Sequence, residues 1–138
     1  REYFEQYLNK NFKLENSILF QKLPLKKYHK ELKLSKITLS LFGWGEICYR
    51  EFESVINGCP FMMPNMSHIK TYPNIYKNNE TYIPINWDFS DFYEKYLLLL
   101  NNYKLRKKLV INAQNEIKNV RKIKGSNYFK TIFEKIIE

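Results

Sequence analysis

The amino-acid sequence predicts a single α/β domain in which helices flank a small parallel sheet and a helical segment forms the C-terminus. The chain has 138 residues, the size of one domain, and 44% of them are hydrophobic and 17% aromatic, as in globular proteins. Short apolar runs typical of strands alternate with longer amphipathic segments typical of helices. Because this alternation requires crossover connections, we expect parallel strands in a Rossmann-like domain that spans residues 1–138.

The N-terminal part should contain two helices and two strands. Residues 1–11 place aromatic and apolar side chains on one helical face, and residues 17–22 form a short apolar run that predicts a strand. A second helix should span residues 24–34, because proline is tolerated in a first helical turn. Residues 37–42 are β-branched and apolar, as in a buried strand.

The central part should add a helix and a second strand. The helix is predicted over residues 46–56, with Gly58 as its C-terminal cap. A strand over residues 61–63 should stop at Pro64. The side chains predicted to face inward from the helix are those of Cys48, Phe52, Val55 and Ile56.

The C-terminal part should be mostly helical. Residues 65–80 have the composition of a loop, and residues 81–85 predict a short strand that, because of Pro84, lies at an edge of the sheet or ends early. Asp88 and Ser90 are candidate caps for the next helix, and Trp87 is expected to pack. The remaining predicted helices span residues 91–101, 104–122 and 127–137.

Two loops that directly follow strands are the predicted site. Ligands of parallel α/β sheets bind beyond the carboxyl ends of the strands. Residues 43–46 follow the strand at 37–42, and residues 64–70 follow the strand at 61–63. We therefore expect these two loops to share one site.

The helix that follows the Gly43-Trp44-Gly45 turn carries candidate ligand-binding groups. Glycine lets a ligand approach the backbone, and a helix N-terminus favours phosphate. Glu46, Arg50 and Glu53 should lie on one helical face, because they are four and three residues apart. Arginine binds a diphosphate through forked, charge-assisted hydrogen bonds, and carboxylates bind sugar hydroxyls. The alternative is a surface ion-pair network with Arg50 between the two glutamates.

Three stretches of the sequence resemble the nucleotide-sugar-binding half of GT-B glycosyltransferases, and the resemblance covers about residues 35–100, with the later helices in the expected order. They read S-K-I-T-L-S-L-F-G-W-G-E-I-C-Y-R-E-F-E-S-V-I-N-G-C-P, P-N-M-S-H-I-K-T-Y-P-N-I-Y and E-T-Y-I-P-I-N-W-D-F-S-D. In retaining members, the glutamate at the position of Glu53 binds the ribose of the nucleotide. The family's preceding glutamate falls on Gly45, and Glu46 follows one residue later, which leaves a retaining or inverting outcome open. The R-E-F-E run also resembles exostosin-like transferases, which implies that Arg50 contacts the donor phosphates.

The resemblance implies roles for other residues of the two loops. Backbone groups at Gly43 and Gly45 would lie close to the donor, and Glu46 and Arg50 would serve catalysis. Asn65, His68 and Lys70 are candidates for contacts with the diphosphate or the base. The alternatives are that His68 is an ordinary surface residue and that Trp44, which could stack on a ligand, fills the core instead.

The predicted function is glycosyl transfer from a nucleotide-diphosphate sugar to a glycan, lipid or protein acceptor. The resemblance implies no metal cofactor and a partner N-terminal GT-B domain that binds the acceptor, so this chain alone should bind donor with little transfer. Two cysteines without metal-binding spacing indicate free thiols in a cytoplasmic protein, and a disulfide between them is the alternative.

The net charge leaves two other function classes open. It is +9, with a pI near 9.4, and suits anionic ligands, including an anionic membrane surface in peripheral contact. A basic nucleic-acid-binding module is one alternative, although no recognition motif for nucleic acid is evident. A catalytically inactive interaction domain of the same fold is the other.

Overall fold

The structure is a computed structural model, and it describes residues 2–11, 23–42, 45–122 and 128–137. The six helices of these ranges are α1 (Glu2–Asn11), α2 (Leu25–Leu34), α3 (Tyr49–Ile56), α4 (Phe92–Asn101), α5 (Tyr103–Arg121) and α6 (Tyr128–Ile137). The three strands are β1 (Thr38–Leu39), β2 (Phe61–Pro64) and β3 (Ile83–Ile85).

The three strands form one parallel sheet in the order β1-β2-β3. Thr38 lies opposite Phe61, and Met62 lies opposite Ile83. This sheet, with its flanking helices and helical C-terminal segment, confirms the predicted α/β, Rossmann-like fold. Because all three strands are parallel, their carboxyl ends lie on one edge of the sheet. This edge is called the carboxyl edge below.

The outer strands are shorter than predicted. Only Thr38 and Leu39 of residues 37–42 form strand β1. The backbone N–H of Ser40 still donates to the carbonyl of Met62 at 2.8 Å, and the carbonyl of Leu41 accepts Nη1 of Arg50 from α3. Residues 81–85 shorten to β3, an edge strand that contains Pro84 as predicted. The strand predicted over residues 17–22 lies outside the described residues.

Helix α3 begins at Tyr49, so the prediction that it starts at Glu46 was wrong. The backbone N–H of Cys48 donates to Oε2 of Glu51 at 2.6 Å, and this contact sets the first turn. The inward face was predicted in part: Val55 is buried and Phe52 packs against the core, but Ile56 is 62% exposed and Glu51 is fully buried. The C-terminal prediction was right: Gly58 has a φ of 80°, the left-handed conformation that glycine adopts after a helix.

Helix α4 is capped by a residue other than the two predicted. Asp91 occupies the cap position. Asp88 and Ser90 form the preceding turn, where Oδ1 of Asp88 accepts the backbone N–H of Ser90 at 3.0 Å. The Asp91 carboxylate accepts the backbone N–H of Asn86 at 2.8 Å, so it also closes this turn.

The core has one part on each face of the sheet. Met62 packs on one face with residues of α1, β3, α4 and α5, whereas Phe61 and Met63 pack on the other with Val55 of α3. Successive residues of a strand point to opposite faces, which explains this division. Strand β2 is therefore buried on both sides. Within the described ranges, no helix is both long and apolar enough to cross a membrane.

Both cysteines are free thiols in the structure, but they should differ in reactivity. Burial raises the pKa of the Cys59 thiol to about 11, and its sulfur accepts the Thr38 hydroxyl at 3.1 Å. Cys48 is only partly buried. Because the thiolate is the reactive form, a thiol reagent should modify one cysteine in the native protein and the second only after denaturation. Cys48→Ser should abolish the native reaction; persistence of that reaction would contradict the assignment.

Candidate functional site

Side chains that follow all three strands meet at the carboxyl edge. Glu46 follows β1, His68 follows β2 and Trp87 follows β3. Oε1 of Glu46 lies 3.2 Å from Nε2 of His68, and their side chains are 44% and 48% exposed. The rings of His68 and Trp87 have centroids 5.9 Å apart. The two predicted loops therefore do share one surface.

Trp87 is a part of this surface that the sequence analysis missed. It was expected to pack, yet it is 53% exposed. The centroid of its ring lies 4.7 Å from that of Phe42, three residues after β1. One side of the indole is thus supported by protein while much of its area stays accessible. Its position could have indicated this role, because Trp87 lies two residues after β3, and the other two strands are also followed by residues of the site.

Arg50 binds the end of β1 rather than the neighbouring glutamates. Its Nη1 donates to Oγ of Ser40 and to the carbonyl of Leu41, both at 3.3 Å. Among the described residues, Glu46 pairs with His68, and no ion pair joins Arg50 to Glu46 or Glu53. The alternative of a surface network across the three residues is therefore not what the structure contains.

Glu53 lies where α3 meets α2, next to Tyr28. Burial, followed by the hydrogen bond to the Glu53 carboxylate, raises the pKa of the Tyr28 hydroxyl to about 12. One turn further along, Nδ2 of Asn57 lies 3.3 Å from Nδ1 of His29, again between α3 and α2. Glu53 is thus separate from the Glu46–His68 contact, although Arg50 acts electrostatically on the same Tyr28 hydroxyl.

The fully buried Glu51 carboxylate joins three parts of the structure. It accepts the hydroxyl of Ser40 after β1, the backbone N–H of Cys48 before α3 and, at 3.4 Å, the hydroxyl of Tyr76 in the loop before β3. Burial raises its pKa, while the donors at Ser40 and Cys48 and the charge of Arg50 oppose that shift. The sequence analysis did not single out Glu51; its signal was the three-residue spacing from Cys48, which is that of a capping box.

The N-terminus of α3 is occupied by its own carboxylate. This helix end was predicted to offer unpaired N–H groups to a phosphate. Instead, Glu51 lies in the first turn and accepts the Cys48 N–H. A negative charge there offsets the partial positive charge of the helix end. Any anion at this edge must therefore rely on Arg50 more than on the helix.

The other candidate residues occupy several positions. Oδ1 of Asn65 accepts the backbone N–H of Ser67 at 2.9 Å, so Asn65 shapes its own loop. Lys70 is exposed and lines a separate cavity. Gly45 has nothing within 4 Å of where a Cβ would lie, so packing does not require glycine there. Gly43 and Trp44 lie outside the described residues.

Across the described ranges, no group of three His, Cys, Asp or Glu side chains is placed to hold a metal ion. No protein-family model matches the chain, and no curated protein is significantly similar to it in sequence.

Proposed function

We propose that this chain binds a nucleotide-diphosphate sugar at the carboxyl edge and forms the donor-binding half of a GT-B glycosyltransferase. The observation that carries the proposal is the convergence of Glu46, His68 and Trp87 from the ends of three parallel strands. The resemblance of residues 35–100 to this family supports the same assignment. The substrate class combines an aromatic or sugar ring, hydroxyl groups and a diphosphate, and each has a suitable protein group here.

The indole of Trp87 and the Glu46–His68 pair account for the neutral parts of the ligand. An exposed aromatic ring supported by Phe42 can stack on a base or a sugar face. A carboxylate and an imidazole in contact supply an acceptor and a donor for sugar hydroxyls. Both groups are about half exposed, so a ligand can reach them without rearrangement of the core.

Arg50 accounts for the diphosphate. A guanidinium has five N–H donors, and the contacts of Arg50 to Ser40 and Leu41 both involve Nη1. The contacts restrain the side chain, and we propose that its remaining donors bind charge that develops on a leaving diphosphate. In this proposal Arg50 and Glu46 are the catalytic residues, and Glu53 meets the ribose as the resemblance implies.

The rest of the proposed setting comes from the resemblance alone. The acceptor would be a glycan, lipid or protein bound by an N-terminal GT-B domain. The donor site would use no metal cofactor. The location would be cytoplasmic, with the charge of +9 allowing peripheral contact with an anionic membrane.

One observation favours a second candidate, an interaction domain of the same fold without transfer activity. The first turn of α3 is capped by Glu51, and Arg50 already has internal partners. Such a site could be purely structural. Under this alternative, substitutions at the carboxyl edge would leave partner binding unchanged and no nucleotide would bind.

The test is a calorimetric titration with UDP, GDP, ADP, CMP and their sugars at low and high salt. Trp87→Ala should weaken the binding of the preferred nucleotide about tenfold, because base–aromatic stacking contributes about 1–3 kcal/mol. Tyr49→Ala is the matched control: Tyr49 is 88% exposed on α3, and its loss should leave binding unchanged.

Two outcomes would reject the proposal. If no nucleotide binds, the interaction domain is favoured. If, in addition, the chain binds RNA or DNA with an affinity that falls steeply with salt, the nucleic-acid alternative is favoured. Equal losses in Trp87→Ala and Tyr49→Ala would show that any bound nucleotide lies elsewhere.

A further inference from the structure

A second concave site lies between the loop of residues 67–78 and helices α5 and α6. It has a volume of about 550 Å³, within the range of small-molecule sites. Glu46, Arg50 and Glu53 are not among its lining residues. Its charged lining consists of Lys70, Lys77, Glu116 and Lys135. This site is called the lysine cavity below.

The polar side chains that could accept hydrogen bonds in the lysine cavity have internal partners. Oγ1 of Thr71 donates to the carbonyl of Pro73 at 3.2 Å. Oδ1 of Asn74 accepts the backbone N–H of Tyr76 at 3.0 Å, and Oδ1 of Asn78 accepts the Tyr82 hydroxyl at 2.6 Å. These hydroxyl and amide groups are thus engaged within the loop itself.

The lysines supply donors in excess. Nζ of Lys77 lies 2.7 Å from Oε1 of Glu116, and an ammonium group has three donors, so this contact leaves two of them for a ligand. Lys70 is exposed and adds a further ammonium group. Lys70 and Lys77 against Glu116 leave the lining with a net positive charge. A phosphate monoester suits such a lining, because it is an anion with three strong acceptor oxygens.

The cavity is also larger and less polar than a bare phosphate requires. Ile69, Tyr72 and Tyr76 contribute apolar or aromatic surface to its walls. These groups can cover an organic body while the lysines hold the anion.

We propose that the lysine cavity binds a small organic phosphate, with Lys70 and Lys77 contacting the phosphate group and the walls covering the organic part. This inference does not depend on nucleotide-sugar binding at the carboxyl edge. The cavity would serve as a separate subsite for a phosphorylated molecule.

The test is a calorimetric titration of the whole chain with four probes. Phenyl phosphate should bind more tightly than inorganic phosphate, which lacks the ring, and than benzoate, which carries one charge. Phenol, which has no negative charge, should bind weakest. Lys70→Gln should weaken phenyl phosphate at least tenfold, whereas Glu116→Gln, which frees Lys77 and removes a negative charge, should strengthen it several-fold.

Lys108→Gln is the matched control, since Lys108 is an exposed lysine of α5 that does not line the cavity. Equal weakening by Lys70→Gln and Lys108→Gln would overturn the proposal, because it would indicate attraction to the overall charge alone. No binding of phenyl phosphate, or binding no tighter than phenol, would overturn it too. Trp87→Ala should leave phenyl phosphate affinity unchanged, so failure of the carboxyl-edge site and failure of this one are distinguishable.

Discussion

Replacing Glu51 by alanine should lower the free energy of unfolding by about 3 kcal/mol, because the change leaves buried donors without an acceptor. The donors are the hydroxyl of Ser40, the backbone N–H of Cys48 and the hydroxyl of Tyr76. Ser40 and Tyr76 are themselves buried, so water cannot readily replace the carboxylate. Urea unfolding followed by circular dichroism measures the effect.

Glu51→Gln is the matched control for this prediction. The amide keeps the shape and one acceptor oxygen, so the variant should lose less stability than Glu51→Ala. Glu53→Gln, two residues further along α3 and partly exposed, should lose less still. If all three variants are equally stable, the Glu51 carboxylate does not organise the three segments that it contacts.

The stability difference between the wild type and Glu51→Gln should depend on pH. Burial raises the pKa of Glu51 above its ordinary value of 4.5, so the folded state binds the proton more tightly than the unfolded state does. The stability of the wild type relative to the variant should therefore increase as pH falls from neutral toward 4.5, and level off below it. A decrease over the same range would mean that Ser40, Cys48, Tyr76 and Arg50 outweigh burial and lower the pKa.

The fold could be predicted because its signals are local. Apolar runs such as residues 61–63 become part of a strand buried on both faces, and Gly58 ends α3 in the left-handed conformation that favours glycine. The start of α3 could not be predicted in the same way. It depends on a carboxylate from Glu51 that binds Cys48 and Ser40 together, and Ser40 belongs to another element.

The candidate site was predicted in part for the same reason. Parallel topology alone places the segments after β1 and β2 on one edge, and the structure brings Glu46 and His68 into contact there. Helical spacing suggested that Glu46, Arg50 and Glu53 act together, but Glu46 precedes the helix, so the spacing rule does not apply to it. Arg50 binds the carbonyl of Leu41 after β1, whereas Glu53 accepts the hydroxyl of Tyr28 on α2. Sequence spacing does not reveal these partners.

The second large effect concerns helix α1, which is attached to the core through Phe4. This ring is 1% exposed and makes edge-to-face contacts with Phe89 and Phe92, at centroid distances of 4.6 and 5.0 Å. Phe4→Ala should lower the free energy of unfolding by about 3–4 kcal/mol, since it removes buried apolar surface and leaves a cavity. Thermal and urea unfolding would both report the change.

Tyr3→Ala tests whether the effect comes from packing rather than from helix propensity. Tyr3 is the neighbouring aromatic residue of α1 but is 67% exposed, and its ring lies 6.4 Å from that of Phe89. The same aromatic-to-alanine change there should cost less than about 1 kcal/mol, as exposed substitutions do. If Phe4→Ala is equally mild, α1 contributes little to the stability of the domain. If the large loss is found, α1 is part of the core that supports β2, whose carboxyl end leads to the loop that presents His68.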